Sequence, residues 1–237
     1  MQKKTYTAVV LAAGSGSRMQ SKVKKQFMDF MGKPLVYYAL KAFQESPVDH
    51  IILVTGEDAM DYCREEIVEK YHFSKVQAIV PGGAERPESV YHALKETKTD
   101  YVLIHDGARA FVDQGIIGRA MDGVDQYKAC VIGMPVKDTI KVLDEDNYAV
   151  DTPKRSTLWQ MQTPQCFITE EIREAYGLMF CEGCDGVTDD AMVMEQYGHR
   201  RVKLIEGSYH NIKITTPEDI LVGEAFLKNR GEEGCTQ

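Results

Sequence analysis

Apolar residues in this chain fall into short runs separated by longer amphipathic stretches. TAVVLAA (7–13), HIILVTG (50–56), VQAIVPGG (76–83), YVLIHDGAR (101–109) and ACVIGMPV (129–136) are brief, and most are rich in β-branched residues, so each predicts a strand. Between them the apolar spacing lengthens. PLVYYALKAFQES puts Leu35, Tyr38, Ala39 and Phe43 on one face, at a period of about 3.6 residues, with proline near the start of the helix. The acidic segment Asp58–Lys70 and the stretch SVYHALKE predict the next helices. Strands that alternate with helices imply right-handed crossovers. The expected fold is therefore α/β, a Rossmann-like three-layer sandwich around a mostly parallel, twisted sheet.

The rhythm breaks at 136–155. VKDTIKVLDEDNYAVDTPKR has short alternating segments around the turn-forming Asp144-Glu145-Asp146-Asn147, which predicts a protruding β-hairpin arm. Helices follow near Glu170 to Phe180 and Asp189 to Tyr197. RVKLIEG predicts a strand, with Asn211–Thr215 as the end of the last strand, and a final helix starts at Pro217, capped by Thr215 or Thr216. GEEGCTQ has no core-forming pattern. The expectation is one domain over 1–230 carrying the arm, with 231–237 as a mobile tail.

Composition narrows the function. Of the 237 residues, 43% are hydrophobic, ample for a buried core, and the formal net charge is −8, which argues against a nucleic-acid coat. The cations Arg18, Lys22, Lys24 and Lys25 run against that overall sign; Arg18 and Lys25 are read as the anion-site pair, and Lys22 and Lys24 as loop surface. No run approaches the ~20 apolar residues of a membrane span. MQKKTY lacks a signal-peptide h-region, and the six cysteines form no dense framework, so a reducing cytoplasmic location is expected. Cys181 and Cys184 form a lone CxxC with no second pair, and read as incidental.

In an open parallel sheet, ligands collect at the carboxyl ends of the strands. The first strand ends in Gly14-Ser15-Gly16-Ser17-Arg18. Such glycines let phosphate approach backbone N–H groups, although they also serve as plain tight turns. Met19 stands where a dinucleotide fingerprint needs its third glycine, and no Walker loop is present. The third strand ends in Gly82-Gly83-Ala84-Glu85-Arg86-Pro87-Glu88-Ser89, either a ligand turn offering Arg86 and Ser89 or a helix-capping turn. The fourth ends in His105-Asp106-Gly107-Ala108-Arg109. Asp106 suits an Mg²⁺ ion shared with a triphosphate, or a helix cap, or an ion pair with Arg109. His105 reads as a buried, hydrogen-bonded imidazole.

These loops resemble those of nucleotidyltransferases that couple sugar phosphates to nucleotides, through LAAGSGSRM and Lys25. A more specific resemblance, extending to about residue 228, is to the cytidylyltransferase family that acts on 2-C-methyl-D-erythritol 4-phosphate in the non-mevalonate isoprenoid pathway. AAGSGSRM, KKQF, GGAERPESV, HDGAR, PVKDTIK, LWQMQTPQ, VTDDA and NIKITTPED occur in that family's order. The resemblance implies CTP and a sugar-alcohol phosphate as substrates and Mg²⁺ held by Asp106. It implies nucleotide contacts from Ala12, Ala13, Gly14, Ser15, Gly16, Arg18, Lys25, Gly83, Arg86, Ser89 and Asp106. Arg109, Thr139, Arg155, Thr163, Thr188 and Lys213 would hold the sugar phosphate. Arg18, Lys25, Arg155 and Lys213 would carry catalysis by neutralising charge. The arm would cross to a second subunit, making a homodimer in which Arg155 and Thr163 serve the partner's site. Gly107 and Ala110 replace the family's usual alanine and proline, and Lys24 stands in place of the proline before its lysine; looser loops are expected there. Ribitol-5-phosphate cytidylyltransferase shares several motifs and is the nearest rival, with LAAG rather than LAGG favouring methylerythritol phosphate. A non-catalytic nucleotide-binding protein of the same fold is the third reading.

Overall fold

The structure, a computed structural model, describes residues 3–14, 24–183 and 186–233. Its strands are β1 (Tyr6–Ala12), β2 (Asp29–Phe30), β3 (Lys33–Pro34), β4 (His50–Thr55), β5 (Val76–Pro81), β6 (Tyr101–Asp106), β7 (Ala129–Pro135), β8 (Val142–Leu143), β9 (Ala149–Asp151), β10 (Trp159–Ile168) and β11 (Lys203–Glu206). The helices are α1 (Leu35–Gln44), α2 (Met60–Tyr62), α3 (Arg86–Glu96), α4 (Gln114–Tyr127), α5 (Thr169–Glu182), α6 (Asp190–Gln196) and α7 (Pro217–Glu233).

Among the described residues, the main sheet runs in the order β11-β7-β10-β6-β1-β4-β5. It is parallel at β1–β4, β1–β6, β4–β5 and β7–β11, whereas β10 is antiparallel to both β6 and β7. The sheet is thus mixed but mostly parallel. Because β1 and β6 are covered on both faces, their apolar runs are continuous. Successive side chains of β1 still go to opposite layers. Ala8 and Val10 pack with α1 and α4, while Val9 packs with α3, α5 and α6. Each Val or Leu buried this way contributes about 1.5–3 kcal/mol. A smaller cluster of Phe30, Leu35, Ala108, Ala110, Phe111 and Ile214 lies under the loops at the carboxyl edge, with Phe226 of α7 packed against it.

Three boundaries differ from the sequence expectation. The segment 58–70 is composite: a 3₁₀ turn (Glu57–Ala59), one α-helical turn in α2, then a π-helical stretch (Cys63–Glu69) that buries Cys63 and Ile67. Strand β11 ends at Glu206, and 211–215 is irregular chain bonded to the loop after β6 through Ile214 N–H and Ala108 C=O. The start of α7 is held by Asp219, whose carboxylate accepts from the Thr215 and Thr216 N–H groups at 2.8 Å each, so an acid in the first turn reaches back. The helix continues to Glu233, so the expected tail is helical at 231–233, and 234–237 lies outside the described residues. The arm is the short ribbon β8–β9, exposed throughout.

Candidate active site

The chain leaves β1 for β4 on one side and later returns to β6 on the other. Ligand crevices open at such switch points. A cleft of about 420 Å³ lies there, lined by the ends of β1 (Leu11 to Gly14) and β6 (Asp106), the turn after β5 (Gly83 to Arg86), Lys25 and Lys213. Five parts of the chain therefore meet around one space.

The glycine turn after β5 is set by close approach. A Cβ on Gly82 would lie 2.4 Å from that of Ala13, and one on Gly83 would lie 2.2 Å from that of Glu88. Ser89 closes the turn: its Oγ accepts from Gly83 N–H at 3.0 Å and donates to the Glu85 carbonyl at 3.1 Å. Glu88 accepts from Ala84 N–H at 2.7 Å. The N-cap of α3, Glu85, makes no side-chain cap, so Ser89 and Glu88 shape the turn, which forms part of the cleft wall. At the end of β1, the Ala12 carbonyl accepts a 2.6 Å bond from the side-chain amide of buried Gln26, next to Lys25. Lys24 pairs with Asp58 at 2.5 Å rather than standing as plain loop surface. Ser15, Gly16, Arg18 and Lys22 lie outside the described residues.

Asp106 is the electrostatic centre. Its carboxylate lies 2.8 Å from Lys213 Nζ, 3.5 Å from Arg86 Nε and 3.9 Å from Arg109 Nε. Burial alone would push its pKa up, but Arg86, Lys213 and Arg109 outweigh that and hold it well below the usual carboxylate range. Burial lowers the Arg109 guanidinium, with Asp106 opposing. Arg109 donates to the Asn211 carbonyl at 2.8 Å and to the Met161 carbonyl at 3.4 Å.

Beneath Asp106 runs a second layer. Thr163 Oγ accepts from the Asp106 N–H at 3.1 Å and lies 3.0 Å from His105 Nδ1. The Arg109 carbonyl, 3.2 Å from Nε2, can only accept, so the neutral imidazole carries its proton on Nε2 and its Nδ1 accepts from the Thr163 hydroxyl. His105 is fully buried, and that burial pushes its pKa down to about 4, so it is a neutral structural imidazole, as expected. Thr163 is 4% exposed, and its hydroxyl lies against Asp106 and His105 of its own chain. Gly107 donates to the Leu11 carbonyl at 2.8 Å, and Ala110 is buried in the cluster under the loops.

Arg155, Thr139 and Thr188 are exposed and line no part of this cleft. Arg155 donates to the Lys137 carbonyl at 3.0 Å, at the root of the arm. Thr188 stands in an adjoining depression beside Arg86 and Tyr176. Cys181 is an exposed free thiol, and Cys184 lies outside the described residues. Sequence reading passed over Gln26, Asn211 and Asp190. Asn211 is wholly buried and donates to the Thr163 carbonyl at 2.9 Å, tying β10 to the Lys213 segment. Asp190 grips Arg86 at 2.7 Å. Each lies in or beside a quoted motif, but its partner is remote in sequence.

Residues 6–229 match the family described as IspD, 2-C-methyl-D-erythritol 4-phosphate cytidylyltransferase. The chain is 52% identical to the protein of that name from Lachnospira eligens over 225 residues, covering 94% of this chain and 99% of the relative. It is 47% identical to the one from Clostridium novyi, covering 94% of this chain and 96% of the relative. Among solved structures it is similar to 4-diphosphocytidyl-2C-methyl-D-erythritol synthase from Anaerococcus prevotii, with a TM-score of 0.81 and 32% identity over 95% of this chain and 99% of that one. The cytidylyltransferase from Thermus thermophilus gives a TM-score of 0.76 and 27% identity over 93% and 98% of the two chains.

Proposed function

Because the chain belongs to the 2-C-methyl-D-erythritol 4-phosphate cytidylyltransferase family, we propose that its cleft holds CTP across the β1 and β5 ends, with the sugar phosphate arriving beside Lys213. The protein is a cytidylyltransferase. It joins CTP and 2-C-methyl-D-erythritol 4-phosphate into 4-diphosphocytidyl-2-C-methyl-D-erythritol and releases pyrophosphate. Relatives at about half identity carry that name, which favours it over ribitol 5-phosphate as the acceptor.

The observation that carries the reading is the convergence of Lys25, Lys213 and Arg86 on the cleft that holds the Asp106 carboxylate. The attacking phosphate oxygen is already ionised at neutral pH, so the bond to the α-phosphorus forms, and that to pyrophosphate breaks, without a general base. The barrier is the approach of two anions, which positioned cations lower. Lys213 would leave Asp106 for the incoming phosphate, while Lys25 and Arg18 would neutralise the triphosphate. Arg155 and Thr139 would reach a site only across a dimer, and Thr188 would serve from the adjoining depression.

The donor set fits magnesium delivered with the nucleotide. Among the described residues no group of three or more acidic, His or Cys side chains could hold a resident ion, and Mg²⁺ bound with phosphates needs only one or two carboxylates. Asp106 would hold it, and the ion when bound would supply charge neutralisation at the phosphates. A homodimer through the arm is part of the proposal, supported by its exposed Val142, Leu143, Tyr148 and Val150. A reducing cytoplasmic setting fits the free thiols of Cys63, Cys130 and Cys166. Among the described residues no helix is long and apolar enough to cross a membrane.

Pyrophosphate release from CTP and methylerythritol phosphate tests the reading. Release that EDTA abolishes and Mg²⁺ restores is expected. Metal-independent release would remove the metal role from Asp106.

A further inference from the structure

Arg86 and Asp190 are the first residues of α3 and α6, 104 positions apart. Arg86 Nη1 and Nη2 donate to the two carboxylate oxygens of Asp190 at 2.9 and 2.7 Å. The Tyr176 hydroxyl adds a third bond to the same carboxylate at 2.5 Å. Asp190 has no exposed surface, and its neighbours are pinned to β10 by Gln165, which donates to Asp189 at 2.9 Å and accepts from Ala191 N–H at 2.8 Å. With one edge of its guanidinium fully taken, Arg86 shows Asp106 only its Nε edge, at 3.5 Å.

A guanidinium has five N–H donors in a rigid plane and pairs most strongly with a carboxylate through two of them. Freed from Asp190, Arg86 would have a second carboxylate within reach, that of Asp106. Such a pairing would tie up the acidic group at the centre of the cleft. We propose that Asp190, supported by Tyr176, is a positioning residue that holds the Arg86 fork away from Asp106 and so keeps the Asp106 carboxylate open to the substrates. This assigns a task to the second aspartate of VTDDA, whose motif the substrate contacts otherwise represent only through Thr188. It also separates the pair from an ordinary stabilising ion bridge, whose replacement affects folding but not turnover specifically.

The inference rests on the cytidylyl-transfer reading, and its test uses the full-length protein with CTP, methylerythritol phosphate and Mg²⁺. D190N keeps the shape of the side chain and removes its charge. The expected result is a kcat lower by about 10–100-fold, with KM for CTP changed by less than about threefold. Because the damage passes through Arg86, D190N should cost nothing further once Arg86 is gone: R86Q/D190N should turn over as fast as R86Q alone, a non-additive pattern. A near-normal kcat in D190N, or losses that multiply in the double variant, would overturn the assignment. If D190N does not fold, Y176F gives the same decision. It leaves the ion pair and removes one donor, so a loss of kcat that disappears in the R86Q background supports the positioning role, and an equal loss in both backgrounds contradicts it. A wild-type protein that forms no product overturns the activity and the inference together, whereas an active wild type with unaffected variants overturns the inference alone.

Discussion

Asp106 is 8% exposed and is held by groups from α3, β10 and the 211–215 segment as well as its own loop. Every residue from Lys137 to Asp151, by contrast, is exposed, and the arm's two strands bond chiefly to each other. The first region has its geometry decided several times over within one chain. The second carries Ile140, Val142, Leu143, Tyr148 and Val150 on a surface that its own chain leaves uncovered. Charge that must be placed to fractions of an ångström sits where packing and hydrogen bonds over-determine it. Apolar area left in water sits where a second subunit is proposed to bind.

The largest effect should come from removing a cation proposed to face the phosphates, either Lys213 of the fixed region or Arg18 of the glycine loop. Lys213→Ala, or Arg18→Ala, should lower turnover by about 10²–10³-fold while the chain stays folded. Near-normal turnover in both would break the idea that these cations do the chemistry. Thermal melting beside the assay separates the two effects.

Next comes the support under Asp106. His105 has its pKa lowered from 6.5 to about 4 in the folded state. The folded protein therefore binds that proton less readily than the unfolded chain, and stability falls as pH drops from about 6.5 to about 4, by about 3 kcal/mol in all. Asp106, also depressed, contributes stability above the ordinary carboxylate range and loses it only at lower pH. His105→Asn should flatten the upper part of that acid slope in denaturant titrations. An unchanged slope would show that the imidazole is not the buried neutral base described above.

The smallest effect is expected at the arm. Tyr148→Glu combined with Val150→Glu should convert a dimer to a monomer in analytical ultracentrifugation. Neither side chain is buried within the chain, so any fall in melting temperature should reflect loss of the dimer and, in the wild type, depend on protein concentration. Turnover should fall about tenfold or more if Arg155 serves a partner's site, one such lost contact being worth at least ~1.4 kcal/mol. A dimer that survives both changes would place the subunit contact elsewhere.

The strands were legible in the sequence because central strands buried on both faces leave continuous apolar runs, as in VVLA and YVLIHD. Strand β10 was only partly legible. WQMQTPQCFI carries three glutamines and a proline, since Gln162 and Gln165 spend their amides inside the molecule on Ser208, Asp189 and Ala191. Asp106, Lys25, Lys213 and Arg86 could be chosen from strand tips and motifs because ligand sites follow the carboxyl edge of a parallel sheet. Asp190, Gln26 and Asn211 could not, because their meaning lies in partners that only the folded chain brings near. Likewise, nothing local says that the Thr163 hydroxyl is used by Asp106 and His105.

The central claim is that this cleft transfers cytidylyl to methylerythritol phosphate, and one competition measures it directly. CTP and Mg²⁺ are supplied with equimolar 2-C-methyl-D-erythritol 4-phosphate and ribitol 5-phosphate, and the products are read by mass spectrometry. The expected result is 4-diphosphocytidyl-2-C-methyl-D-erythritol as the dominant product, lost in Lys213→Ala. Predominant CDP-ribitol, or no cytidylyl product from either acceptor, would contradict it.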